Sequence, residues 1–187
     1  MVRRALASSK RALESLRQLR HRRPLWESEA AFLAHEFGDS LALSQLRIAG
    51  GGHPLGRLAW QPRAHWIQMH DSLFEAEDPA RPVRSEYWPI LAHEALHVWQ
   101  RVHRHHRVGV SVDGLWLGVV AGRAAYRYSV TSDPSEVLRA FLDGNIEQQG
   151  QMFEDYVRSN VLTKEARDAK FEHVARYIRE RQRPKTA

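Results

Sequence analysis

The 187-residue chain contains no cysteine. Disulfide staples and thiolate metal sites are therefore excluded, and any metal ion must be held by histidine and carboxylate. No apolar run approaches the ~18–20 residues that a membrane-spanning helix needs. The N-terminus is charged but lacks the apolar stretch of a secretory signal. Together these absences predict a cytoplasmic protein with no membrane span, whose export would require a specialised secretion system that needs no signal peptide. Lysine is scarce among the 28 basic residues, so the formal charge of +6 rests mostly on arginine. An acidic partner would account for that charge, but the arginines gather at the two ends and do not interleave with aromatic residues, which argues against nucleic-acid binding. The apolar share of 43% and the chain length suit one ordinary globular domain with its own core.

What the sequence does have is histidine, 11 in all, and one stretch that uses it: Leu91-Ala92-His93-Glu94-Ala95-Leu96-His97-Val98-Trp99-Gln100. The pattern H-E-x-x-H lies inside a run that reads as helix. Residues four apart share a helix face, so His93 and His97 can aim two imidazoles at one metal ion. Glu94 borders that face, placed to act as general base on a water rather than as a ligand.

The chain around this stretch divides by periodicity. Residues 1–24 form a basic amphipathic helix, with Val2, Leu6, Leu13, Leu16 and Leu19 as its stripe and Pro24 as its end. A second helix runs from Ser28 to Phe37, with Ala31, Phe32, Ala34 and His35 on its apolar side; Gly38-Asp39 stops it. Its Leu33-Ala34-His35-Glu36 repeats the letters of the central motif, but Gly38 breaks the helix before Asp39 can align with His35, so a half-buried histidine is expected there.

Across 41–70 the period drops to two. Gln45 to Ile48, Arg57 to Trp60 and His65 to His70 predict three short antiparallel strands, with Gly50-Gly51-Gly52 and Gln61-Pro62-Arg63 as turns. The central helix then spans 86–103, capped by Ser85 and started through Pro89. Leu91, Ala95, Val98 and Val102 should face the core, and Ile90, His93, His97 and Gln100 the site. His103, His105 and His106 read as a cationic helix end. The stretch 108–130 is apolar and Gly-punctuated, and is helix or strand. Asp133-Pro134 opens another helix, which Asp143-Gly144-Asn145 interrupts. A polar-faced helix over 145–158 follows, with Glu147, Gln151 and Glu154 on one face, and Thr163 caps a last helix over 163–180 with Phe171, Val174 and Ile178 inward. The class is α+β: a small three-stranded sheet packed on several helices, in one domain of residues 1–187.

Two histidines are too few for a zinc site, which takes three or more protein ligands. The helix at 145–158 offers Glu147 as the third, with Glu154 as the other candidate.

His93-Glu94-Ala95-Leu96-His97-Val98-Trp99-Gln100, combined with Asn145-Ile146-Glu147-Gln148-Gln149-Gly150, resembles the gluzincin class of zinc peptidases in its small, minigluzincin form. It is also similar to small bacterial peptidases associated with Rhs- or Vgr-related secretion proteins. The resemblance covers mainly residues 65–157. It implies a zincin-like fold, Zn²⁺ held by His93, His97 and Glu147, Glu94 as catalytic base, and a secretion-apparatus partner beside the peptide or protein substrate. It further implies that His65 to His70 is an edge strand binding extended peptide, which makes Trp66 and Gln68 substrate-binding residues. A second electrophile would come from Tyr126 or Tyr128, with Tyr128 preferred. The class usually carries Asp four residues after the ligand glutamate; here Gln151 stands there, as the expected outer partner of a ligand histidine. The readings that compete with a peptidase are a zinc-binding interaction module without turnover and a basic nucleic-acid or surface binder.

Overall fold

A computed structural model describes residues 22–51, 58–103, 122–129, 131–161 and 169–182. The expected N-terminal helix over 1–24, the Thr163 cap, and the stretches around His105, His106 and Leu115 to Val120 lie outside, or almost wholly outside, the described residues. Within them the α+β class holds: five α-helices and one three-stranded sheet. The helices are α1 (Glu27–Phe37), α2 (Trp88–His103), α3 (Pro134–Asp143), α4 (Ile146–Val161) and α5 (Glu172–Glu180). The strands are β1 (Arg47–Ala49), β2 (Ala59–Arg63) and β3 (Trp66–Met69).

The sheet is mixed rather than all antiparallel. Its order is β1-β3-β2, with β1 and β3 parallel and β2 and β3 antiparallel. The chain leaves β1, passes to the far edge as β2, and returns through a tight hairpin that inserts β3 between them. Gln61-Pro62-Arg63 is therefore strand, and the turn is Ala64-His65, where His65 adopts φ 57°. Proline is tolerated because β2 is an outer strand among the described residues, and the ladder shifts register between Trp60 and Arg63, where Pro62 has no N–H to give.

β3 is thus the central strand, not an edge. Both of its sides are spent on backbone pairing, so no peptide can be added along it. Trp66 is buried with Arg22 stacked 3.9 Å above its ring, and Gln68 is buried and donates to the Gly51 carbonyl at 2.6 Å. Neither residue is placed to receive a substrate. The outer strand that packs against α2 is β2.

α1 also faces otherwise than its apolar residues suggest. Ala31, Ala34 and His35 are exposed, while Glu29, Phe32, Leu33, Glu36 and Phe37 are buried. Glu29 turns inward because four donors wait there: the Arg23 guanidinium by two bonds of 2.7 Å, and the N–H groups of Trp26 and Val83. His35 and Asp39 do not meet in a metal site; His35 bonds Glu36.

α2 runs through the middle of the molecule. A 3-10 turn, Ser85–Tyr87, leads into it, so Ser85 lies inside that turn rather than at the cap of the helix. Every residue from Leu91 to Gln100 is buried. Leu91, Ala95 and Val98 face the core as expected, whereas Val102 is only half-buried. α2 packs chiefly on α4. Asp133 caps α3 by accepting from the Ser135 N–H, with Pro134 in the first turn. α5 follows a 3-10 turn, Ala169–Phe171, and buries Phe171, Val174 and Ile178.

Candidate metal centre

Two helices build the centre, and local rules fix each. α2 carries His93 and His97 on one face by their spacing of four. α4 begins with a reciprocal cap: Asn145 Oδ1 accepts from the N–H groups of Glu147 and Gln148, and Gln148 Oε1 accepts from the Asn145 N–H, all at 2.9 Å. The Asn145 amide also donates to the Ala125 carbonyl at 3.2 Å. This cap sets the start of α4, and so fixes which way Glu147 in its first turn points.

His93, His97 and Glu147 converge, all three buried, with one ligand atom from each lying within 4.8 Å of the others. Nε2 of His93 and Nε2 of His97 each lie 3.5 Å from the same oxygen, Oε2 of Glu147. A charge-assisted hydrogen bond between such groups would be about 2.7–2.9 Å long. Ligands at about 2.0–2.1 Å around a tetrahedral ion stand roughly 3.3 Å apart. The spacing is longer than a close ion pair and suits donors that share a common ion. Two imidazole nitrogens and a carboxylate oxygen also form a donor set suited to a divalent metal. Among the described residues no other cluster of this kind occurs.

The electrostatics agree. Burial alone would lower the His93 pKa, but the Glu147 and Glu154 carboxylates, with the charge of Glu94, push it up to about 10. Burial would likewise raise the Glu147 carboxyl, yet the His93 and His97 rings hold it well below the usual carboxylate range. Glu154 is also held low against burial, by His93 and Arg158. Without a metal, a proton on His93 therefore balances the buried carboxylates. The cation expected there is either that proton or a metal ion.

Behind each ligand ring stands a partner that orients it. His93 Nδ1 meets Glu154 Oε2 at 3.1 Å, and Glu154 is itself paired with Arg158. His97 Nδ1 meets Gln100 Oε1 at 2.8 Å. Glu154 is thus on the far side of His93 from Glu147, a support rather than the third ligand. Gln151 is not the outer partner: its amide donates to Asp155 at 2.9 Å, and Tyr128 donates to the same carboxylate at 2.6 Å. Tyr128 is thereby tied to α4 through Asp155. Tyr126 lies beside the centre, its ring centroid 6.2 Å from that of His93. Glu94 is buried and close enough to His93 to act on its charge.

Gly150, Gln149 and Asn145 stand in the stretch that carries the resemblance, but the sequence assigns none of them a role at the site. A Cβ on Gly150 would stand 2.7 Å from Cε1 and Nε2 of His93, so only glycine lets the ring lie against α4. A lone glycine inside a helix costs about 1 kcal/mol against alanine, and that local penalty was the available signal.

No protein-family model, curated protein or solved structure matches the chain. Among the described residues, the buried His93, His97 and Glu147 group lies close enough together to bind a metal ion.

Proposed function

We propose that the protein is a zinc-dependent metallopeptidase of the gluzincin type. The observation that carries this reading is the pair of 3.5 Å separations that set both histidine Nε2 atoms around one Glu147 oxygen, on the helix that also holds Glu94. Zinc fits a cysteine-free site of two imidazoles and one carboxylate that leaves a position open. When bound there, the ion would supply Lewis acidity that acidifies a water and polarises a carbonyl.

The chain's own residues would do the rest. His93, His97 and Glu147 hold the ion, and Glu154 and Gln100 keep the two rings turned to it. Glu94 follows His93 directly and is buried, so its carboxylate works in a poorly hydrated place where proton transfer is not dissipated to solvent. It takes a proton from the attacking water and returns it to the departing amine. Tyr126, its ring beside His93, is placed to serve a developing oxyanion, and Tyr128 is tied to Asp155. An extended substrate would lie along β2, the outer strand beside α2, since β3 is enclosed.

Glu94→Gln tests the reading. The variant should keep stoichiometric zinc by elemental analysis and lose cleavage of a permissive peptide library. Zinc bound equally by both forms, with no cleavage by either, would leave a metal-binding interaction module, with a secretion apparatus as its candidate partner. Wild-type protein that binds no zinc would defeat both.

A further inference from the structure

Behind His97 lies a chain of amides whose direction is fixed by atoms that can only accept. Gln149 Nε2 donates to the carbonyls of Phe141 at 2.7 Å and Gly144 at 3.1 Å. A backbone carbonyl has no proton to give, so the amide nitrogen, not the amide oxygen, must face them. Gln149 Oε1 is therefore turned the other way, onto Gln100 Nε2 at 2.7 Å. Gln100 Nε2 independently donates to a third carbonyl, Ile146, at 3.2 Å. Two separate sets of carbonyls thus impose the same sense on Gln100, and its Oε1 must be the atom that faces His97 Nδ1. An oxygen that only accepts requires a proton on that ring nitrogen.

We infer that Gln149 and Gln100 form a directional amide relay that fixes His97 in its Nδ1–H tautomer and leaves the Nε2 lone pair aimed at the metal position. The inference rests on the proposed metal centre for its purpose, but the tautomer is a property of the metal-free chain. His97 is not supported as His93 is. A carboxylate backs His93, whereas His97 is backed by neutral amides whose far end is the C-terminal end of α3 and the link to α4. The carbonyls of a helix's last turn lack intrahelical partners. Phe141 lies in that turn, and Gly144 follows in the link to α4. The amide of Gln149 satisfies both carbonyls and carries their polarity to the ring. Gln100 and Gln149 are positioning residues: neither touches the ion or a substrate. Both are fully buried, so no water competes for these bonds.

The test is a long-range ring-nitrogen correlation NMR spectrum of isotope-labelled, metal-free wild-type protein, with His97 assigned by comparison with His97→Gln. The expected result is a single Nδ1–H form; a predominant Nε2–H form would overturn the inference, whatever the protein does with zinc. The second measurement is Gln100→Leu, which keeps the approximate size and removes the acceptor that faces His97 Nδ1. In folded variant protein His97 should show mixed tautomers, and zinc affinity by chelator competition should drop about 10–100-fold, the range for lost outer partners. An unchanged tautomer in that folded variant would overturn the relay. If the variant does not fold, the wild-type spectrum alone decides. Peptide cleavage plays no part in either reading, so failure of the relay and failure of the peptidase proposal are told apart.

Discussion

Gly150 and His93 are in a contact that no other residue pair could make: a Cβ on the glycine would lie 2.7 Å from two atoms of the ring. α2 and α4 approach closely enough for Glu147 to reach both histidines only because one position on α4 has no side chain. Gly150→Ala sets two effects against each other. Helix propensity favours alanine by about 1 kcal/mol, and overpacking a buried contact costs about 1–3 kcal/mol. The second should win. Thermal melts are expected to show no gain in stability, and chelator competition a zinc affinity at least about tenfold weaker, in line with a displaced ring. A variant that is more stable and binds zinc normally would show that the ring has room to move.

Glu147 and Glu154 lie on opposite sides of His93, and their amide variants should separate a ligand from a support. Glu154→Gln keeps an acceptor near Nδ1 and should retain zinc, with affinity reduced about 10–100-fold. Glu147→Gln removes a ligand and should lose more than that, to the point of substoichiometric zinc after dialysis. Equal losses would mean that the two carboxylates share the ion.

These two variants also mark what could be read from the sequence. The pairing of His93 with His97 was legible because helical spacing is local and survives any tertiary arrangement. Glu147 was legible because a third ligand was needed and a second polar-faced helix offered it. The outer partner was not: Gln151 and Glu154 share the face of Glu147 almost equally by spacing, and only the way α4 crosses α2 brings Glu154 to the ring. Strand direction was hidden for a related reason. Alternation reports which face is buried and is blind to whether a neighbour runs parallel, so the sheet read as antiparallel and proved mixed; the edge position of β3 was implied by the resemblance alone, and β3 proved central. The inward turn of Glu29 was hidden because its donors, Arg23 and Val83, lie outside the helix whose pattern was read.

Zinc binding should be opposed by protons. The carboxylates around His93 push its pKa up to about 10, so near neutral pH its proton must leave before the ring can ligate. Affinity is expected to climb about tenfold per pH unit between neutrality and that value, and calorimetry in buffers of different ionisation enthalpy should register a released proton. Stability of the metal-free form runs the other way. The raised His93 pKa contributes stabilisation that is complete below its ordinary value of 6.5 and fades as pH rises toward about 10. The lowered Glu147 pKa contributes stabilisation that is present above 4.5 and is lost as pH falls. For this pair the metal-free protein is therefore most stable between those two ordinary values. Melts of chelator-treated and zinc-loaded protein should diverge progressively toward alkaline pH; a constant gap would mean that His93 carries no proton in the metal-free site.

Arg23 and Glu29 form a bidentate pair in which the carboxylate is fully buried and the guanidinium largely so. The same arginine donates to the carbonyls of Pro24, Pro79 and Arg81, and Glu29 accepts from Val83 N–H, so the pair fastens the start of α1 and the outer side of β1 to the loop that precedes α2. Breaking a buried pair from one side leaves the other charge stranded and typically costs about 3–5 kcal/mol. Glu29→Ala should destabilise by about that amount in urea melts, because the guanidinium and two backbone N–H groups lose their acceptor together. Arg23→Ala should cost less, since Glu29 keeps its two backbone donors and Arg23 is partly open to solvent. Zinc stoichiometry should be intact in whatever fraction of either variant is folded. A double variant, Arg23→Met with Glu29→Leu, removes both charges and should recover much of the loss. If it is no better than Glu29→Ala alone, the cost lies in the Trp26 and Val83 N–H bonds and not in the ion pair.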